Sequence, residues 1–223
     1  MIPGSMQPYA LTLDKFLDHA AKWHPRSEVV TAGEDGKSAR VDYAELKVRA
    51  KRVSAALAAR GVEEGTCVAT MAWNTQAHLE SWYGIMGMGA ICHTLNPRLL
   101  PSQLAAMLTQ SGARILILSA DLHELAHEVL GQTSTVEEIL VIDGNVEPGT
   151  ATDGACKVGT LKDAAAAAAA GACGSVAWGG FDENTPCGLC FTSGTTGPPK
   201  GVTYTHRGNY LHTMRQLQDD VAG

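Results

Sequence analysis

The 223-residue chain is poor in aromatics, in basic charge and in long apolar runs, and each shortage excludes a class of function. Aromatic residues make up 5% of it, too few for a base-stacking platform. Its 17 Lys and Arg against 23 Asp and Glu leave a formal charge of −6. A nucleic-acid surface needs clustered Lys and Arg, so no nucleic-acid partner is expected. No apolar run reaches the ~18 residues that a membrane-spanning helix requires. The longest low-polarity stretch, Tyr83 to Cys92, is short and interspersed with glycine and alanine. Met1 to Met6 lacks the basic and apolar regions of a secretory signal. Six cysteines, at 67, 92, 156, 173, 187 and 190, show no spacing of a secreted disulfide scaffold. The expectation is a soluble, cytoplasmic protein with free thiols. No repeat of about 20–50 residues is visible.

What is present is alternation. Leu13, Phe16, Leu17, Ala20 and Ala21 have helical spacing, with Thr12 as the expected N-cap and Pro25 as the stop. Glu28 to Ala32 and Ala39 to Val41 read as a strand pair around a Gly33–Lys37 turn. Asp42, with Glu45 three residues on, opens a capped helix that stops at Gly61. Short apolar strands at Cys67–Trp73, Ala90–Leu95, Ile115–Leu118 and Glu138–Ile142 then alternate with helices at Asn74–Met88, Pro101–Gln110 and Leu122–Leu130. Such alternation implies an α/β fold, a parallel sheet with flanking helices. From Gly144 to Gly180 the pattern dissolves, and the Ala164–Ala170 run reads as a short surface helix in a variable connection. Strands at Cys187–Thr192 and Gly201–Thr205 follow, and Thr205 caps a last helix starting at His206.

Between those two strands lies Thr192-Ser193-Gly194-Thr195-Thr196-Gly197-Pro198-Pro199-Lys200-Gly201. Its glycines allow positive φ and close backbone approach, and its hydroxyls and N–H groups suit an anion-binding nest. Lys200 adds a point charge for phosphate oxygens. A polyphosphate is the ligand this composition suggests. The segment is not a Walker A loop: Pro199 stands where the second glycine belongs, Gly201 replaces the magnesium-binding hydroxyl, and a strand follows rather than a helix.

Thr192 to Gly201, with Val202 and Thr205-His206 after it, resembles the phosphate-loop signature of the acyl-adenylate-forming (AMP-binding) superfamily over ten consecutive positions. Val41-Asp42-Tyr43-Ala44-Glu45-Leu46 is similar to the family's opening motif, and Gly84 to Leu99 to its second. Thr94-Leu95-Asn96-Pro97-Arg98-Leu99 looks most like the medium- and long-chain fatty-acyl-CoA ligase branch, including ligases for methylthio-propionate. The resemblance implies a two-step reaction. A small-molecule carboxylate attacks the α-phosphorus of ATP, releasing pyrophosphate; the thiol of coenzyme A then displaces AMP. It implies that Thr192, Ser193, Gly194, Thr195, Thr196, Gly197 and Lys200 hold the β- and γ-phosphates with Mg2+. His206 is a further candidate to approach them, from the N-terminus of the last helix, where an anion is favoured.

The resemblance covers this chain and less than half of such an enzyme. The family's adenine-binding, ribose-binding, hinge and catalytic Lys motifs lie downstream of the phosphate loop and do not occur in this sequence. No catalytic residue is therefore expected within residues 1–223, and the resemblance puts the catalytic Lys downstream of Gly223. The expected organisation is an incomplete N-terminal part of the AMP-binding domain. It comprises opening helices and a hairpin (1–66), strand-helix units (67–143), a variable connection (144–181), and the phosphate-loop hairpin with its following helix (182–223). Such a piece is expected to bind ATP weakly and turn over nothing. It would also self-associate through exposed apolar surface, so a homodimer would say little about the native oligomer. Alternatives are an aryl- or aminoacyl-adenylating enzyme, a non-catalytic nucleotide-binding or partner fragment, and a redox protein using Cys187-x-x-Cys190.

Three other features have structural readings. Cys187 and Cys190 lie three apart on a strand, facing opposite sides, and read as buried free thiols rather than a redox or zinc pair. His123 and His127 read as a solvated helix face. Gly84, Gly87 and Gly89 read as close packing at a helix end, and Trp82, Met86 and Met88 as core.

Overall fold

The run Ile115-Leu116-Ile117-Leu118 needs cover on both sides, and the strand it forms is buried at every residue. A computed structural model describes residues 4, 9–33, 36–144, 156–170, 176–192 and 199–218. In chain order the elements are α1 (Asp14–Trp23), β1 (Glu28–Ala32), β2 (Ser38–Asp42), α2 (Tyr43–Ala58), β3 (Cys67–Met71), α3 (Gln76–Gly87), β4 (Ile91–Thr94), α4 (Pro101–Ser111) and β5 (Ile115–Ser119). A short 3-10 turn at Ala120–Leu122 leads to α5 (His123–Leu130). Then come β6 (Glu138–Ile142), β7 (Lys157–Thr160), α6 (Leu161–Ala170), β8 (Pro186–Thr192), β9 (Lys200–Thr205) and α7 (His206–Gln216).

The main sheet has the order β7-β6-β5-β3-β4-β8-β9. Every pairing in it is parallel except β8 with β9. Alternate strand residues feed two cores. Val68, Cys92, Ile117 and Leu140 pack with Val53 and Leu57 of α2, Ile85 of α3 and Ala164 and Ala168 of α6. Ala69, Leu116, Leu118 and Val141 pack with Leu104 and Leu108 of α4 and Ala126 and Val129 of α5. The β1–β2 hairpin stands apart, its Val41 clustered with Leu17, Leu46 and Ala50.

Local chemistry explains most element boundaries. Asp42 caps α2 by accepting the Glu45 N–H at 2.8 Å, and Thr205 caps α7 by accepting from Gly208. At Gly84 the helices α2 and α3 nearly touch: a Cβ there would lie 2.7 Å from Val53 Cβ and 2.9 Å from the Ala50 carbonyl. Ser54 Oγ donates to the Gly84 carbonyl at 2.6 Å across the same contact.

Four expectations change. Thr12 is not a cap, because α1 starts from Leu13 with no side-chain cap, and the Thr12 hydroxyl is buried without a partner among the described residues. The variable connection contains β7, which extends the sheet beside β6. Its alanine helix α6 is more than a surface helix: Lys162, Asp163, Ala166, Ala167 and Ala169 are exposed, but Leu161, Ala164 and Ala168 are buried in the core. Trp82 is 37% exposed rather than core, held through its indole N–H to His78.

Candidate functional site

Because β3, β4, β5, β6 and β8 run in one direction, their carboxyl ends share one edge of the sheet. Ligands of open α/β sheets bind along that edge. The β8–β9 hairpin turns there, leaving β8 at Thr192 and returning at Lys200, with these two exposed residues directly opposite each other in the ladder. Ser193, Gly194, Thr195, Thr196 and Gly197 lie outside the described residues. So does Gly223, beyond which the resemblance puts the catalytic Lys, and no described residue is assigned a catalytic role. The segment's two ends, Thr192 and Lys200, lie side by side at the carboxyl edge of the sheet.

Packing holds those ends in register. Phe191, one residue before Thr192, is opposite Gly201. A Cβ on Gly201 would come within 3.1 Å of Leu189 Cδ1 and 3.2 Å of Phe191 Cζ. The aromatic ring thus occupies the place that any side chain at 201 would need.

Further along the same edge, the turns after β3, β5 and β6 are tied together. The Trp73 indole N–H donates to Asp121 Oδ2 at 2.7 Å, and the Thr75 hydroxyl donates to Asp143 Oδ2 at 2.8 Å. Asp143 has φ 59, a left-handed conformation that Asp tolerates in a tight turn. The Arg98 guanidinium lies 5.8 Å from the Trp73 ring centroid. His78 is locked in one neutral form: Nε2 accepts from the Trp82 indole N–H at 2.9 Å, which leaves Nδ1–H to donate to the Trp73 carbonyl at 3.0 Å. Burial holds its pKa below the ordinary histidine value, opposed by the hydrogen bond to Trp73. The sequence singles out none of these residues as part of a site; the Trp73–Asp121 and Thr75–Asp143 contacts join turns 48 and 68 positions apart.

His93 is the other residue sequence reasoning missed. It stands in β4 between Ala69 of β3 and Leu189 of β8, fully buried, with its ring 5.1 Å from that of Phe191. Both imidazole nitrogens lack a hydrogen-bond partner among the described residues. Burial pushes its pKa down to about 4.

His206, expected from its place at the start of the last helix to approach the phosphates, sits just beyond the opposite end of β9 from Lys200, ~20 Å away at ordinary strand rise. It is fully buried, makes a tilted ring contact with Phe181 at 4.8 Å, and its Nδ1 accepts the Leu13 N–H at 3.2 Å. The side chain closes the base of the hairpin and is unavailable to phosphate. Cys187 is buried and Cys190 exposed, so the pair is not two buried thiols, and both are free. Burial raises the Cys187 pKa to about 11, unlike the activated thiolate of a redox site. His123 and His127 are exposed on α5, and among the described residues no group of three or more His, Cys, Asp or Glu is placed to hold a metal ion.

Fold and edge together define an α/β domain of the adenylate-forming type. An anthranilate CoA ligase in complex with anthranoyl-AMP superposes with a TM-score of 0.76 at 22% identity, covering 97% of this chain and 38% of that one. A Mycobacterium tuberculosis fatty acyl CoA synthetase superposes with a TM-score of 0.67 at 23% identity, covering 88% and 35%. The AMP-binding enzyme family model matches residues 17–222, and the chain belongs to that family. It is 34% identical over 220 residues to a 3-methylmercaptopropionyl-CoA ligase of Ruegeria lacuscaerulensis, covering 99% of this chain and 40% of the relative. It is 35% identical over 213 residues to a long-chain-fatty-acid–CoA ligase of Thermus thermophilus, covering 95% and 36%. The chain therefore spans about 40% of the length of the curated relatives it matches.

Proposed function

We propose that this chain is the N-terminal part of the large domain of an enzyme that activates a fatty or related carboxylic acid with ATP and transfers it to coenzyme A. The observation that carries this reading is the facing pair Thr192 and Lys200 at the carboxyl edge of the sheet. Between them runs the hydroxyl- and glycine-rich segment of residues 193–199. The names of the curated relatives, which act on 3-methylmercaptopropionate and on medium- and long-chain fatty acids, support the substrate class.

In the first step a carboxylate oxygen attacks the α-phosphorus of ATP, and the bond to the bridging oxygen of pyrophosphate breaks. Negative charge grows on the departing β- and γ-phosphates. Lys200 and the hydroxyls of Thr192, Ser193, Thr195 and Thr196, with N–H groups at Gly194 and Gly197, stabilise that charge more than they stabilise bound ATP. Pro198 and Pro199 contribute no N–H donors, so the donors lie before them. Mg2+ brought with the nucleotide would neutralise part of the same charge. In the second step coenzyme A sulfur attacks the acyl carbon and AMP leaves.

The family resemblance puts the adenine site and the catalytic Lys downstream of Gly223. The 223-residue chain is accordingly expected to bind polyphosphate and to form no acyl-adenylate. In a protein joining this span to the remaining length of its relatives, Lys200→Ala is expected to slow acid-dependent ATP–pyrophosphate exchange about 100-fold, the scale of one lost charge-stabilising donor. The thermal midpoint should not move, because Lys200 is exposed. Exchange at the unsubstituted rate would remove Lys200 from the proposed site.

A further inference from the structure

The ladder of the β8–β9 hairpin sorts its side chains onto two faces. Thr192 opposite Lys200, Cys190 opposite Val202 and Gly188 opposite Tyr204 share one face; Phe191 opposite Gly201 and Leu189 opposite Thr203 share the other. Beside the Thr192–Lys200 pair the second face is filled. Phe191 packs against the core that α4 and α5 cover, and its ring lies with Leu189 where a Cβ on Gly201 would go. The first face is open. β8 is an interior strand between β4 and β9, and interior strands of mostly parallel sheets are ordinarily covered on both sides. Cover from α2 and α3 reaches Cys92 of β4 and stops there: Cys190 is exposed, and Val202 and Tyr204 are 39% and 44% exposed. Thr94 of β4 continues this face, its hydroxyl 3.9 Å from the Cys190 sulfur. Below Lys200 the face carries no charged side chain, only those of Thr94, Cys190, Val202 and Tyr204.

We propose that this face is the wall along which the carboxylic acid lies, its chain running from the Lys200 end of the hairpin towards Tyr204. The proposal rests on the phosphate-site reading above and deepens it by placing the second substrate. Displacement at phosphorus is in line, with the attacking oxygen opposite the leaving one. With pyrophosphate at Thr192 and Lys200, the acid oxygen stands about 3–3.5 Å beyond the α-phosphorus, on the side away from that pair. The Cys190–Val202 pair is two residues back along the hairpin, ~7 Å, and Tyr204 is ~13 Å from Lys200. A carboxylate at the first distance leaves its chain over Val202 and Tyr204. An uncharged, partly apolar surface suits an alkyl or thioether chain and offers nothing to a second anion. Val202 and Tyr204 are then specificity-determining residues for the length of the chain.

Two measurements test the placement. In the 223-residue chain, magnesium pyrophosphate at about ten times its dissociation constant should slow modification of Cys190 by an aromatic disulfide reagent ~fivefold or more, since only about a tenth of the chain is then unoccupied. Unchanged labelling while calorimetry shows pyrophosphate bound overturns the assignment of this face. In a protein joining this span to the remaining length of its relatives, Val202→Phe should keep kcat/KM for butanoate within about threefold and lower that for dodecanoate ~tenfold or more, the scale of a changed apolar contact. Thr203→Phe, the same bulk on the opposite face, should change neither value. Parent-like selectivity in Val202→Phe overturns the proposal. Equal losses for both acids with a matching rise in the KM for ATP also overturn it, and put the nucleotide on this face instead. Pyrophosphate binding equal in the parent and Lys200→Ala overturns the phosphate site itself, and the placement of the acid with it.

Discussion

The imidazole Nδ1 of His206 accepts the backbone N–H of Leu13 at 3.2 Å, joining the start of α1 to the junction of β9 and α7 across 193 positions of sequence. Glu183 makes a parallel tie, accepting from the Leu11 N–H at 2.7 Å and pairing with Arg207. The N-terminal segment is thereby fastened to the base of the hairpin whose far end carries Thr192 and Lys200.

Removing that tie should be costly. His206→Ala leaves the buried Leu13 N–H unpaired and exposes one face of the Phe181 ring, so stability should fall by about 1–3 kcal/mol. Urea denaturation of the variant measures the loss. A midpoint equal to that of the parent would show the contact to be incidental.

Acid should weaken the fold through its buried histidines. Burial lowers both His93 and His206 to about 4, whereas an unfolded histidine titrates near pH 6.5. Between those values the unfolded chain binds protons that the folded chain refuses, so stability falls as pH drops from about 6.5 towards 4. Each residue contributes at most ~3 kcal/mol to that fall, and neither contributes to pH dependence above the window. Denaturation midpoints from about pH 7.5 down to 4.5 would reveal it, and His93→Phe should flatten the slope. Rising stability over that range would contradict the burial of both rings.

Gly201 and Gly84 make complementary predictions. Gly201→Ala pushes a methyl group against Leu189 and Phe191 at 3.1–3.2 Å, which the flexible side chains can partly relieve. Gly84→Ala drives a methyl group into the Ala50 backbone carbonyl at 2.9 Å, which cannot move without separating α2 and α3. Overpacking of this kind costs about 1–3 kcal/mol, with Gly84→Ala the more destabilised of the two. Gly201→Ala should instead show its main effect in pyrophosphate affinity. The reverse ranking in thermal melts would indicate that the hairpin, not the α2–α3 contact, is the tighter packing.

The two cysteines of β8 should differ in reactivity. Cys190 is exposed, while Cys187 is buried with its thiol raised to about 11 and donating to the Tyr204 carbonyl. An aromatic disulfide reagent should modify Cys190 in the native chain and reach Cys187 only on unfolding. Equal rates at the two thiols, or a disulfide between them in the oxidised sample, would revive a redox reading.

Much of this architecture was legible in advance because it is written in local patterns. The apolar run at Ile115–Leu118, the Asp42 and Thr205 caps and the strand bounds Glu138–Ile142 all express neighbouring residues alone. β7 and α6 were harder to read, since Gly- and Ala-rich sequence reveals little until α2 and β6 supply a surface to pack against. A trace of the boundary was available: the Thr160 hydroxyl accepts the Asp163 N–H at 3.0 Å, a capping pattern visible as Thr-x-x-Asp. His206 is illegible in the sequence because a helix N-terminus suits an anion wherever it lies, and only the hairpin register shows that this one stands at the end of β9 away from Lys200. His93 passed unnoticed for a related reason, since its unpaired nitrogens are a property of burial between β3 and β8.

The most direct measurement is a calorimetric titration of magnesium pyrophosphate into the 223-residue chain and into its Lys200→Ala variant at low and moderate salt. Saturable binding by the parent that weakens with salt and falls ~tenfold or more in the variant is the expected result. No saturable binding by the parent, or equal binding by both proteins, would contradict the assignment of the β8–β9 hairpin as a polyphosphate site.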